Sequence, residues 1–414
     1  MKQGWEIKKL GDIVDKYNGL WKGKKPPFVK VAVIRNTNFS KDCKLRLQNI
    51  EYLDVEEKQY KTRKLFEGDI IIEKSGGSDK QPVGRPILFD IKHGEYSFSN
   101  FTSAIRVKEG LKIMPKFLQL CLYNHYLLGA TFPLQSATTG IHNLDFKGYL
   151  ELEVPVPSLL EQGRIVGVLD AAFAKIDALK ENAQKNLENA KALFQQVLKQ
   201  ELTPKPNWQT KKLSEVCETI TDFVAAGSFA ALRENVKYNS EKDFAQLVRT
   251  TDIKSNFTKG KFVYVSKSAF DFLYRVNLDK QSIVLPNVGV NCGEVYIVNP
   301  SQLPYEHNVL GPNAILVRSD TESNEFLSYA FKGQEFQKSL LGIINSMAQP
   351  KFNKTSLKKL LVCLPDKAEQ NLIEKKLHSV EQMCSQIEAN AEKTIAECDA
   401  LKQAVLRRAF NGEL

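Results

Sequence analysis

Two stretches of the chain carry apolar residues on a seven-residue repeat. From Glu161 to Leu202 one seam runs Val166, Leu169, Phe173, Ile176, Ala183, Leu187, Ala190, Phe194 and Val197, with Lys180 as its one polar break. From Lys367 to Phe410 a second runs Ile373, Leu377, Val380, Cys384, Ile387, Ala391, Thr394, Cys398, Leu401 and Val405. Steps of three and four alternate, the pattern of a helix packed lengthwise on another helix. A helix of about 40 residues is about 60 Å long and cannot bury such a stripe alone, so each stretch needs the other as its partner. Lys180 either snorkels at the edge of the pair or marks a place where another protein docks.

The two stretches align at a constant offset of 208: Pro157 falls on Pro365, Glu161-Gln162 on Glu369-Gln370, Leu193 on Leu401 and Val197-Leu198 on Val405-Leu406. The repetition is not confined to helices. The opening Trp5-Glu-Ile-Lys-Lys-Leu10 returns as Trp208-Gln-Thr-Lys-Lys-Leu213, so whole halves are duplicated.

Between opening and helix each half shows short apolar runs with strand character. Val29–Ile34 leads into Arg35-Asn-Thr-Asn38, and Phe244–Val248 into Arg249-Thr-Thr-Asp252. Gly68–Ile72 and Ser282–Leu285 each reach a Gly-containing turn and a second strand, Pro86–Phe89 or Val295–Val298. Amphipathic helices are expected over Pro115–Tyr126 and Asn324–Phe336. A last strand ends at Pro157 or Pro365, where proline stops it before the long helix. The predicted organisation is a mixed α/β globule followed by a long helix, used twice: 1–157 and 158–203, then 204–365 and 366–414. The linker Thr203-Pro-Lys-Pro-Asn207 marks the boundary.

Lys and Arg exceed Asp and Glu by ten, a balance that favours a polyanionic partner. The seven cysteines (43, 121, 217, 292, 363, 384, 398) form no CxxC pair and read as small buried hydrophobes in a reducing compartment. No apolar run is long enough to span a membrane and no apolar leader opens the chain, so a cytoplasmic protein is expected.

Motifs for catalysis are missing. Lys25-Pro-Pro-Phe28 has the tail of an adenine-methyltransferase motif but lacks the leading Asn or Asp. Glu73-Lys74-Ser-Gly-Gly lacks a phosphate-loop arrangement. Asp69 and Glu73 near Lys74 fail the spacing of a nuclease cluster. The five His are dispersed and carry no metal-ligand spacing. Neither catalysis nor metal binding is expected of this chain.

What both halves share is inter-strand loops rich in side chains that suit base edges and phosphates. The first-half candidates are Lys22, Lys24, Lys25, Arg35, Asn36, Lys74, Ser75, Lys80, Gln81, Arg85, Asn100, Thr138, Thr139 and His142. Those of the second half are Arg249, Thr250, Thr251, Asn287, Asn291, Asn308, Gln349, Lys351, Asn353 and Lys354. Arg35 and Arg249 recur after the same strand, so pairing a carboxylate is as good a reading of them as reading a base.

The W-x-x-K-K-L openings, the Glu161-Gln162 and Glu369-Gln370 turns and the endings Phe194–Leu202 and Leu401–Leu414 together resemble the specificity subunit of type I restriction-modification systems, over essentially the whole chain. That resemblance implies an α/β (α+β) fold. Two similar mixed α/β target recognition domains would be separated by two long helices forming an antiparallel coiled coil, with an internal pseudo-two-fold repeat. Each domain would bind one half of an asymmetric bipartite site in double-stranded DNA, and the helices would fix the gap. The subunit would be non-catalytic. It would dock two adenine methyltransferase subunits and, in some complexes, restriction/translocase subunits, so S-adenosylmethionine, ATP and Mg are expected on those partners. The competing reading is a non-catalytic coiled-coil scaffold for protein or carbohydrate partners.

Overall fold

The computed structural model describes residues 4–21, 23, 25–79, 81–138, 140–344 and 349–414. Two compact units emerge. The first comprises 1–185 with 391–414, and the second comprises 186–390. Each therefore contains a globule and a section of both long helices, Leu159–Glu201 and Lys367–Asn411.

The first unit is built on a four-stranded antiparallel sheet in the order 14–18, 102–107, 70–73, 86–88. Against it stands a three-stranded sheet in which Phe28–Ile34 pairs antiparallel with Glu51–Glu56 and parallel with Tyr96–Phe98. The second unit repeats both. Its four strands are 219–222, 314–318, 282–286 and 296–298, and Ala245–Val248 sits between an antiparallel and a parallel neighbour. The opening strands close each globule. Glu6–Lys9 pairs with Glu153–Val156, and Gln209–Lys212 with Leu361–Leu364, which brings each half's beginning against the strand that precedes its long helix. Leu10 and Leu213, last in the repeated openings, are buried.

One expectation needed refinement. The helix expected over 324–336 breaks at Gly333 into Asn324–Lys332 and Gln334–Ile343. The first unit also has a sheet without a counterpart among the described residues of the second: Gln135–Thr138, Ile141–Leu144 and Ser75–Gly76.

The repeated Glu-Gln pair has a physical reason. Gln162 is buried and donates to the carbonyl oxygens of Pro157 (2.8 Å) and Lys112 (2.9 Å) while accepting from the amide of Met114 (2.8 Å). Gln370 repeats the proline contact, donating to the Pro365 carbonyl (3.0 Å) and to Glu322 (2.8 Å). Each glutamine satisfies the carbonyl of the proline that lies between the last strand and the long helix.

Within each unit the two helices run antiparallel. In the first, Lys180 meets Asp399 (2.5 Å), Asp177 meets Lys402, and Arg164 meets the Leu414 carbonyl (2.8 Å). In the second, Lys376 meets Glu201 (2.6 Å) and the Cys384 thiol meets the Phe194 backbone. Lys180 is therefore an edge residue holding an ion pair with the opposing helix.

The seam is not a strict heptad. Leu401, expected inside, is 48% exposed, and Lys402 beside it is 6% exposed. Ile165, Leu198 and Leu406 are fully buried where Val166, Val197 and Val405 were expected and are only half-buried. Ile165 and Ala183, then Ile373, Ala391 and Ala409, are buried at steps of eighteen, which is five turns of a 3.6-residue helix. A heptad template slips about 20° per repeat against that period, so it misplaces the outer positions and keeps the central ones.

Lys402 lies in a cluster of two cations and two carboxylates. Its Nζ meets Asp177 and stands 3.8 Å from Asp42, while Lys44 lies 2.6 Å from Asp177 and 3.8 Å from Asp42. Burial alone would raise both carboxyls. For Asp42 the Ser40 and backbone hydrogen bonds and the lysine charges outweigh it; for Asp177 the lysine hydrogen bonds and charges do, so both lie below their ordinary value. A depressed carboxyl contributes stability above its unfolded value and loses it as pH falls through its folded value. The urea midpoint of the first unit is accordingly expected to drop as pH falls below the ordinary carboxyl value, and Asp177→Asn should flatten that part of the profile. An unchanged profile in the variant would contradict the assignment.

Candidate nucleic-acid interface

In the first unit five chain segments converge beside the two sheets. Strand 28–34 delivers Arg35 and Asn36. The Asn36 amide donates to the Ser75 carbonyl (2.9 Å), and the Ser75 hydroxyl donates to Asn143 (2.7 Å). The amides of Lys74 and Ser75 donate to the Phe101 carbonyl at 2.9 and 3.0 Å. Gly19 passes so close to the Ser99 carbonyl that a Cβ would come within 1.9 Å of its oxygen, so only glycine lets these loops meet.

The convergence leaves two adjoining concavities that share Asn36. One is a cleft of about 310 Å³ with an aromatic mouth, Trp21 and Phe101, over Val33, Leu53 and Val55, with Arg35, Ser99 and Asn100 at its edge. The other, of about 330 Å³, is polar and lined by Thr37, Glu73, Ser78, Gln81 and Arg85. Trp21 is 66% exposed and Phe101 43%. A large aromatic beside amide and guanidinium groups is suited to stack on a base or meet a thymine methyl while amides read base edges.

The sequence-derived candidates separate by environment. Asn36, Lys74, Ser75, Gln81 and Asn100 line or edge this region. Arg35 does too, but pairs with Glu51. Lys25 is exposed on the neighbouring loop, its amide donating to Glu56 (2.6 Å). Thr138 is described only as part of strand 135–138, and Lys22, Lys24, Lys80 and Thr139 lie outside the described residues. Two candidates are structural. Arg85 is buried, with its Nε and Nη2 on Glu73 (2.6 and 2.9 Å) and its Nη1 toward the Phe39 and Ser40 carbonyls (both 3.3 Å). Burial would lower its pKa, but Glu73 outweighs that and raises it. His142 is buried on strand 141–144, its Nε2 3.4 Å from Asp79.

In the second unit the corresponding loops also converge. Asn287 donates to the Phe352 carbonyl (3.0 Å), Val288 bridges Lys351, and Lys254 ties Asn291 (2.9 Å) to Glu294 (2.6 Å). Thr250 and Thr251 open the helix 250–254, and Thr251, Gln349, Lys351 and Asn353 are exposed. Asn353 caps helix 354–357 by accepting from the Ser356 amide (2.9 Å), and Lys354 pairs with Asp222 (2.8 Å). Arg249 folds back on Asp252 (2.7 Å) and the Lys261 carbonyl (2.8 Å). Asn308 is buried on strand 308–310, donating to the Tyr305 carbonyl (2.6 Å). Arg249 and Asn308 thus serve the fold.

Trp21 and Phe101 escaped the sequence reading because they are apolar and lie eighty residues apart. The available signal was Trp21 directly before the basic run Lys22-Gly-Lys-Lys25, an aromatic interleaved with cations.

Comparison with known proteins agrees with the duplicated architecture. The family model of the type I restriction modification DNA specificity domain matches twice, over residues 2–189 and 205–397. The specificity subunit of the EcoKI type I restriction enzyme of Escherichia coli K12 is 20% identical over 360 residues, 85% of this chain and 76% of that protein. That of the StySPI enzyme of Salmonella potsdam is 24% identical, with the same coverage of each. Among solved structures, a chain from a study of the assembly and conformational transition of a type I restriction-modification system superposes with a TM-score of 0.71 at 18% identity, covering 100% of this chain and 99% of that one. The HsdS subunit of Thermoanaerobacter tengcongensis gives 0.54 at 18% identity, covering 100% and 98%.

Proposed function

The chain belongs to the type I restriction modification DNA specificity family, and from that premise we propose that each unit reads one half of an asymmetric, two-part DNA site. The observation that carries this reading is repetition of topology without repetition of loops. The same two sheets present Trp21, Asn36 and Asn100 in one half and Thr251, Asn291 and Lys351 in the other. A covalent pseudo-dimer of unlike readers calls for an asymmetric site, as a homodimer calls for a palindrome.

In this reading the chain contributes recognition alone. Adenine methyltransferase subunits, two per chain, supply the transfer chemistry with S-adenosylmethionine, and restriction/translocase subunits supply ATP- and Mg-dependent cleavage where they join. Extrusion of the target base falls to the methyltransferase. No helix among the described residues is long and apolar enough to cross a membrane, and a cytoplasmic site of action belongs to the same proposal.

Methylome sequencing of the host tests the reading directly. A two-part consensus is expected, and it should vanish when this chain is deleted; an unchanged methylation pattern would refute the proposal. The spacer role has its own test. Adding seven residues after Lys185 and seven after Asn390 lengthens both helices by about 10 Å and turns their faces by only about 20°. The preferred gap should widen by about three base pairs at 3.4 Å each, with both half-sites intact. Altered half-sites at an unchanged gap would show that the helices are not spacers.

A further inference from the structure

The buried Lys402 belongs to the helix pair, yet its charge is balanced partly from a loop of the first globule. Asp42 and Lys44 sit on that loop, and Asp177 sits on the central helix. The ammonium also lies 5.5 Å from the Phe173 ring. Taking a lysine this far out of water is unfavourable unless it is paired, so its partners are held where they are.

The loop is compact. Phe39 bridges Leu45, the Ser40 amide donates to the Lys44 carbonyl (3.0 Å), and the Arg46 amide donates to the Asn38 carbonyl (2.8 Å). At its start stand Arg35, which edges the aromatic cleft, and Asn36, which edges both concavities. On its other side the Phe39 and Ser40 carbonyls receive Arg85, whose partner Glu73 lines the polar concavity. A continuous series of contacts therefore leads from the helix pair through the loop to the reading residues.

Among the described residues the second repeat lacks this arrangement. At the duplication offset Lys402 corresponds to Phe194 and Asp177 to Ser385. Among the described residues, Arg249 and Lys254 pair locally with Asp252 and Glu294, not with a long helix. The ion cluster is a property of the first unit.

We propose that Lys402 is a positioning residue for DNA reading by the first unit: with Asp177 it anchors the Asp42–Lys44 loop to the paired helices and so sets the placement of Arg35 and Asn36. The proposal rests on the DNA-reading role given above, but its first readout does not need DNA. In the full chain, Lys402→Met should speed hydrogen exchange at the Ser40, Cys43, Lys44 and Arg46 amides by about tenfold, equivalent to about 1.4 kcal/mol of local opening. The amides of Ser255 to Phe257, on the second unit's corresponding loop, should be unaffected. Asp42→Asn, which leaves both helices untouched, should act in the same direction by about threefold and serves if the lysine variant folds poorly.

The second readout is the methylome of a host carrying the Lys402→Met chain with its natural partner subunits. The half of the consensus that changes when residues 1–157 are exchanged should relax, and the other half should stay as it was. A merely structural role would lower both halves together, and that outcome overturns the proposal. So does loop exchange that stays within about twofold of the parent in both variants. If the parent chain itself yields no two-part consensus, the DNA-reading role fails instead, while the exchange data still decide whether Lys402 anchors the loop.

Discussion

Replacing Arg85 with methionine is expected to destabilise the first unit by about 3–5 kcal/mol, because it leaves the Glu73 carboxylate buried without its cation. Both groups are almost inaccessible, and the pair is bidentate at 2.6 and 2.9 Å. For a unit of this size the loss corresponds to a fall in melting temperature of about 6–20 °C, measurable by calorimetry. The double variant Arg85→Met with Glu73→Gln should recover much of it, since the orphaned charge is gone. Reduced DNA affinity at an unchanged melting temperature would instead restore Arg85 to the reading residues.

Trp21→Ala is expected to do the reverse, weakening DNA binding and sparing stability. The side chain is mostly in solvent, so its removal opens little cavity. If its ring meets a base or a thymine methyl, truncation should cost about 1–3 kcal/mol, or about 5–150-fold in Kd. Fluorescence anisotropy on a duplex carrying the methylome consensus would measure this. Trp21→Phe should retain most of the affinity, and quenching of the exposed indole on titration with duplex would report the contact. An alanine variant that binds within about twofold of the parent would remove the aromatic cleft from the interface.

These two residues show where sequence reasoning holds and where it stops. An arginine in a glycine-rich loop has the chemistry of a phosphate or guanine contact, and from sequence Arg85 reads so. Its partner Glu73 sits twelve residues earlier on a strand, and nothing local announces that the loop folds back over it. Arg35 and Arg249 are more legible: recurrence after the same strand suggests a carboxylate partner, and Glu51 and Asp252 are those partners. The helix seam is legible at its centre, where heptad and helix periods coincide, and misleading at Leu401, where they have drifted one residue apart.

The sequence by itself determined the duplication, the alternation of strands and loops in each half, the pairing of the long helices and the family. All of these rest on short-period patterns or on phrases repeated at a constant offset, which survive without knowledge of contacts. Only the tertiary structure decided which polar loop residues stay exposed and which are buried or paired within the fold. It also decided that Lys402, not Leu401, lies inside, and that Trp21 and Phe101 share one cleft. The reason is the same in each case. Burial and pairing depend on partners that the chain brings from tens or hundreds of residues away, and a linear pattern carries no record of those distances.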